Sequence, residues 1–180
     1  MAIIAKATAP AYITRMGKNS HYRVDDFDAE GCIGYLMSRA TASNRLQLER
    51  RFEGEDINFT QWRVLMCLRD GLANTCADVS RELAHDKGSM TRLIDQLEER
   101  GFLKRRRDQE DRRIVFLALT PSGRAAVNRL VPKLVDYYNQ LLTGFTQQEV
   151  KVLTQLLKKL RDSLNEGDAV STAREGARVS

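Results

Sequence analysis

A chain of 180 residues, 42% hydrophobic and 29% charged, carries enough apolar material for one core, alone or with an appended oligomerisation element. It has no run of eighteen apolar residues to span a membrane and no continuous apolar stretch near the N-terminus to act as a secretory signal. The net charge of +5 favours a polyanionic partner without requiring one, and three cysteines (Cys32, Cys67, Cys76) with no pairing motif fit a reducing cytoplasm.

Residues 1–26 are polar and irregular and are expected to form a flexible arm. A first helix is predicted within 27–58, its stripe made by Ile33, Leu36, Met37, Ala40 and Leu48. Thr60 is a good N-cap for a short helix running to about Arg69, and the stretch WRVLMCL, apolar nearly all round, should be buried on most sides. Asn74 or Thr75 can cap the next short helix, which turns Val79 and Leu83 inward and ends near His85. From Asp86 or Lys87 to Arg100, Met90, Leu93, Ile94 and Leu97 recur at i, i+3, i+4 and i+7, and Gly101 supplies the stop. The period then changes: 102–106 and 114–119 read as strands, the second a β-branched and aromatic run, with a charged connector at 107–113. Thr120-Pro121 restarts a helix, with Pro132 expected to kink it. After Gly144, Thr146-Gln147-Gln148-Glu149 forms a capping box for a last helix. Residues 165–180 are small and polar and are expected to be disordered.

The fold class is therefore mainly α with a small β element: a winged helix-turn-helix over 59–120, flanked by helices at 27–58 and 121–164. Two successive C-terminal seams, Val127 to Leu141 and Val150 to Leu164, exceed what one small winged domain needs. A dimerisation domain is the simplest use for the surplus; an intramolecular hairpin is the alternative.

The second helix of the helix-turn-helix divides its labour. Its apolar stripe faces in, and Lys87, Ser89, Thr91 and Arg92 lie outward at the N-terminal end, where cations, hydroxyls and the helix dipole suit base edges and phosphates. Thr75, at the start of the preceding helix, joins this set. Between Arg100 and Arg113 stand seven cations and three anions, an excess that makes up most of the net charge of the chain. A charge run is commonly just a solvated face. On a hairpin beside a helix-turn-helix, Arg106, Arg112 and Arg113 instead become candidates for a neighbouring minor groove.

These residues resemble the MarR family of bacterial regulators. The resemblance rests on T-x-x-x-V-S-R-E-L-A from Thr75, D-K-G-S-M-T-R-L-I-D-Q-L-E-E-R-G-F-L from Asp86, and D-Q-E-D-R-R-I-V-F-L-A-L-T-P-S-G-R from Asp108. It covers about 27–164 and is sharpest over 75–124, where Asp111, Arg113, Leu119, Thr120 and Gly123 fill a D-x-R, L-T-x-x-G wing pattern. The resemblance implies a triangular homodimer with intertwined terminal helices that binds a pseudo-palindromic DNA operator, as a repressor by default. It places Arg113 in the minor groove, with Arg112 as a secondary contact, and makes Asp111 orient the wing through an arginine such as Arg92. It also implies release by a small anionic or aromatic effector, such as an aromatic carboxylate or its CoA thioester, in a cleft lined by the first, second and post-wing helices. Arg39, Ser43 and Asn44 are the polar candidates there, with Trp62, Met66 and Tyr137 as walls, and Arg39 is the natural partner for an anion.

Cys32 lies where the peroxide-sensing branch of the family keeps a reactive cysteine. Flanked by Tyr35 and Leu36, it is expected to lack polar support and to be unreactive. A thiol-responsive regulator using Cys32 and a winged-helix protein–protein adaptor remain the alternative readings. No cofactor is implied: His21 and His85 are the only histidines, no metal-ligand cluster appears, and no nucleophile elbow, phosphate loop or paired carboxylates suggest an enzyme.

Overall fold

The computed structural model describes residues 21–176, with side chains to 166. Residues 1–20, most of the expected arm, lie outside the described residues, as do 177–180. The described residues divide into two compact units, one ending at Arg50 and one beginning at Arg51.

In the first unit, a 3-10 turn (Val24–Asp26) precedes most of α1 (Ile33–Arg51), which starts later and ends earlier than the predicted span. The Ile33 amide donates to the Tyr22 hydroxyl at 2.9 Å, and the Tyr22 and Phe27 rings meet edge to face at 5.8 Å. Leu48 is buried, whereas Ile33, Tyr35, Leu36 and Leu46 are exposed.

The second unit runs α2 (Phe59–Arg69), α3 (Cys76–Glu82), α4 (Lys87–Glu99), β1 (Leu103–Arg107), β2 (Val115–Leu119), α5 (Pro121–Leu141) and α6 (Gln147–Gly176). Its α2 is capped by Asn58 rather than Thr60. Asn58 accepts the Gln61 amide at 2.8 Å and Gln61 returns the bond at 3.1 Å, a reciprocal capping box that Thr60, already inside the first turn, cannot make. Most of α2 is buried, including Trp62, Val64, Leu65 and Cys67; the indole N–H of Trp62 donates to the Val127 carbonyl of α5 at 3.3 Å.

Thr75 and Asp86 cap α3 and α4. The turn between these helices puts Ala84 in the left-handed region, φ 47°. At the end of α4, Gly101 has φ 75°, and the Phe102 and Gly101 amides return to Leu97 and Glu98, both at 2.9 Å. That pairing closes the helix end in a left-handed turn that glycine enters without a steric penalty. Met90, Ile94 and Leu97 are wholly buried and anchor α4 in the core.

The strands pair antiparallel from Leu103↔Leu119 to Arg107↔Val115. A third segment joins them: Thr75 bridges to Phe116, and the Leu117 amide donates to the Asn74 carbonyl at 2.7 Å. Thr120 caps α5 as expected. This helix continues through Pro132 to Leu141. Thr146 and Glu149 cap each other reciprocally at the start of α6.

The last helix corrects one expectation. Residues 165–176, whose composition suggests disorder, continue α6 to Gly176. With no proline to interrupt it, an established helix extends at one hydrogen bond per added residue and needs no new nucleus. Along α5 the seam divides: Val127 is buried, Val131 and Leu134 are half-buried, and Tyr138 and Leu141 are exposed. On α6, Leu153, Leu156, Leu157 and Leu164 are exposed as well.

Candidate nucleic-acid interface

The N-terminal turn of α4 is built to be seen. Asp86 accepts the Ser89 amide at 2.8 Å, and that bond holds its carboxyl below the usual range. Lys87, Gly88, Ser89, Thr91 and Arg92 are all exposed, while Met90 between them is wholly buried. The helix therefore offers cations, hydroxyls and a positive dipole end on one side and is pinned by its core on the other. Arg92 forms no ion pair among the described residues. Thr91 donates to the Lys87 carbonyl at 2.9 Å and lies 3.6 Å from the Cys76 sulfur. Thr75 is half-buried, with its hydroxyl committed to Asp78: it donates to the carboxylate at 2.7 Å and accepts the amide at 3.1 Å.

The wing tip is ordered by its acids. Asp108 accepts the Glu110 and Asp111 amides at 2.8 and 2.9 Å, and these bonds hold its carboxyl low. Asp111 accepts the Arg113 amide at 2.9 Å. Two carboxylates thus fold the tip back on itself and leave Arg106, Arg107, Arg112 and Arg113 exposed. The expected Asp111–Arg92 pair is not formed: the carboxylate is turned into its own loop, two residues from the amide it binds.

A different residue links wing and helix. The Arg105 guanidinium sits 2.6 Å from Asp95 and also pairs with Glu98, whose other oxygen accepts the Arg105 amide at 2.8 Å. Burial acts to lower the Arg105 pKa, but the bonds and charges of Asp95 and Glu98 outweigh it and leave it raised. Counted by sequence, Arg105 is one more wing cation. Strand parity separates it, because it shares a face with buried Leu103, while Lys104 and Arg106 point the other way.

The base of the wing is fixed by the L-T-x-x-G segment. Thr120 donates to the carbonyls of Gly101 (2.6 Å) and Phe102 (3.0 Å), and the Gly123 amide donates to the Thr120 hydroxyl at 3.1 Å. A Cβ at Gly123 would lie 1.9 Å from the Phe102 carbonyl oxygen, so only glycine lets α5 approach so closely.

The remaining candidates are distributed over both units. In the first, Arg39 and Ser43 are exposed and Asn44 is half-buried. In the second, Trp62 and Tyr137 are buried and Met66 is half-buried; the Arg51 guanidinium lies 4.3 Å above the Tyr137 ring. Cys32 has more polar company than expected: the Tyr35 amide donates to its sulfur at 3.5 Å, and the Tyr22 hydroxyl binds the adjacent Ile33 amide. Burial pushes the Cys67 thiol upward, which suits an inert core residue. Among the described residues no helix is long and apolar enough to cross a membrane.

The sequence profile of the MarR family matches residues 57–115. The multiple antibiotic resistance protein MarR of Salmonella typhimurium is 33% identical over 129 residues, 71% of this chain and 90% of that protein. The chain belongs to the MarR family. Solved structures of MarR-type regulators agree with the fold. BpsR of Bordetella bronchiseptica, whose DNA binding is regulated by 6-hydroxynicotinic acid, has a TM-score of 0.66 at 29% identity, covering 76% of this chain and 97% of that one. A variant of Escherichia coli MarR complexed with operator DNA has a TM-score of 0.61 at 29% identity, covering 71% and 92%. The winged helix-turn-helix, mainly α with a small β wing, is thus the family fold, and the chain is a transcriptional regulator of the MarR type.

Proposed function

We propose that this MarR-family regulator is a cytoplasmic repressor that binds a pseudo-palindromic operator as a homodimer. The first turn of α4 enters the major groove through Lys87, Ser89, Thr91 and Arg92. The wing tip reaches the flanking minor groove through Arg113, with Arg112 and Arg106 on nearby phosphates. One observation carries this reading: an exposed polar helix start and an exposed arginine hairpin belong to the same packed unit, anchored by buried Met90, Ile94, Leu97, Leu103 and Leu117. The protein–protein adaptor reading gives no reason for that division.

Pairing is supported by the apolar surface that the chain leaves open on α6 and the end of α5, including Leu141, Leu153, Leu156, Leu157 and Leu164. A homodimer covering it sets two recognition helices one helical turn apart on the duplex, about 10 bp between half-site centres.

The effector is a small aromatic carboxylate, with exposed Arg39 as its anion partner. The family relative BpsR, regulated by an aromatic acid, supports that chemistry. A thiol-responsive reading retains one specific support, the Tyr35 amide on the Cys32 sulfur; Cys32→Ser would then abolish any loss of DNA binding on thiol alkylation.

The decisive experiment is selection of duplexes from a random-sequence pool by the full chain, followed by binding at several salt concentrations. Enrichment of a two-fold-related sequence, with affinity falling steeply as salt rises, is expected. Failure to enrich any duplex would overturn the reading.

A further inference from the structure

Within the run Lys104–Arg107, Arg105 is set apart by what it touches. Its side chain is 30% exposed and is gripped by Asp95 and Glu98, which lie three residues apart on successive turns of α4 and so flank one guanidinium. Its own amide is held by Glu98 as well. Among the described residues these are the ion pairs that join the wing to the recognition helix. Both acids lie in the C-terminal half of α4, away from Lys87–Arg92. On its β2 side the ribbon is tied at Phe116 and Leu117 to the segment before α3. The fork at mid-strand, binding both guanidinium and backbone, ties the β1 side to α4 itself.

We propose that Arg105 is a positioning residue: with Asp95 and Glu98 it sets the angle of the wing on the recognition helix, so that major-groove and minor-groove contacts engage together. The proposal rests on the DNA-binding reading above. Arg105 contacts no phosphate in this role. A partly exposed ion pair adds little to global stability, so its effect is on geometry more than on folding.

The acids give the test its sign. Asp95 and Glu98 are anions near a polyanion, and by charge alone their removal tightens binding. As parts of the fork, their removal loosens the wing and weakens binding. The probe is the duplex selected by the wild-type chain, with affinity measured across a salt series, the minor groove mapped by hydroxyl-radical footprinting and the major groove by protection of guanine N7 from methylation.

Arg105→Gln is expected to lower affinity on the order of 10- to 100-fold, the scale of a lost arginine contact, and to leave the slope of log K against log salt unchanged. Footprint protection by the wing is lost while major-groove protection stays. The double variant Asp95→Asn/Glu98→Gln shows a similar loss with Arg105 intact, and the triple variant is no weaker than either. The proposal is overturned if the double acid variant binds as tightly as wild type or tighter. It is equally overturned if Arg105→Gln flattens the salt slope by ~1 per protomer, the mark of a direct phosphate contact. Should Arg105→Gln melt far below wild type, the acid variant decides alone. A wild-type chain that enriches no duplex removes the DNA-binding reading and this inference together; wild-type binding with unaffected variants removes only the inference.

Discussion

The base and the tip of the wing are built from similar residues and do opposite things. At the base, Thr120 ties α5 to the end of α4, Gly123 allows backbone to touch backbone, and Arg105 is fastened to two acids. At the tip, Asp108 and Asp111 each turn one oxygen onto local amides, and the arginines beside them remain exposed. The lesson is that an arginine's role is set by the parity of its strand position and by which acids the packing brings within its reach. Composition alone treats Arg105 and Arg113 alike.

Several substitutions would break or sharpen this contrast. The largest effect is expected at the base. Gly123→Ala forces a Cβ onto the Phe102 carbonyl and should cost roughly 3 kcal/mol of stability, at the upper end of overpacking, measured by denaturant unfolding. A variant as stable as wild type would show that the close approach is dispensable. At the tip, Arg113→Ala should leave the melting temperature unchanged and weaken binding to the selected duplex by about 2 kcal/mol. Unaltered affinity would count against the minor-groove assignment. Thr120→Val, again at the base, removes a cap and two further bonds and should lower stability by about 1 kcal/mol without changing the salt slope of DNA binding.

A control lies outside the wing. Ala84→Gly relieves a left-handed alanine between α3 and α4 and should raise stability by ~0.5 kcal/mol, the steric relief exceeding the extra chain entropy of glycine. Last, the tip should be acid-sensitive. The Asp108 carboxyl is held low in the folded chain, so its contribution is complete above the ordinary carboxylate range and is lost as pH falls through its depressed folded value. The protection of the Glu110 and Asp111 amides, the intrinsic exchange rate at each pH relative to the observed one, should therefore fall only below about pH 4 and stay constant from there to neutrality. A change near pH 6 or 7 would point to another group.

Much of this architecture is legible along the chain because its cause is local. Thr120-Pro121, Gly101, and Thr146 with Glu149 are caps and stops whose partners lie within three or four residues, and the period of Met90, Ile94 and Leu97 is that of the helix itself. The misjudged features depend on competition or distance. Thr60 and Asn58 are both good caps, and the box with Gln61 decides between them. Ala84 occupies a position where glycine would have announced a turn. The bridge from Thr75 to Phe116 spans 41 positions and leaves no pattern in either segment alone.

The amino-acid order by itself settles the succession of helices and strands, the buried face of the recognition helix and the concentration of cations after Gly101, because propensity, period and charge belong to the residues. Only tertiary packing decides that Asp111 closes its own loop instead of meeting Arg92, and that Arg105 is fastened to Asp95 and Glu98 while its neighbours stay open. Ion pairing depends on distances of a few ångströms between elements, and those distances exist only after the core has placed the wing against the helix.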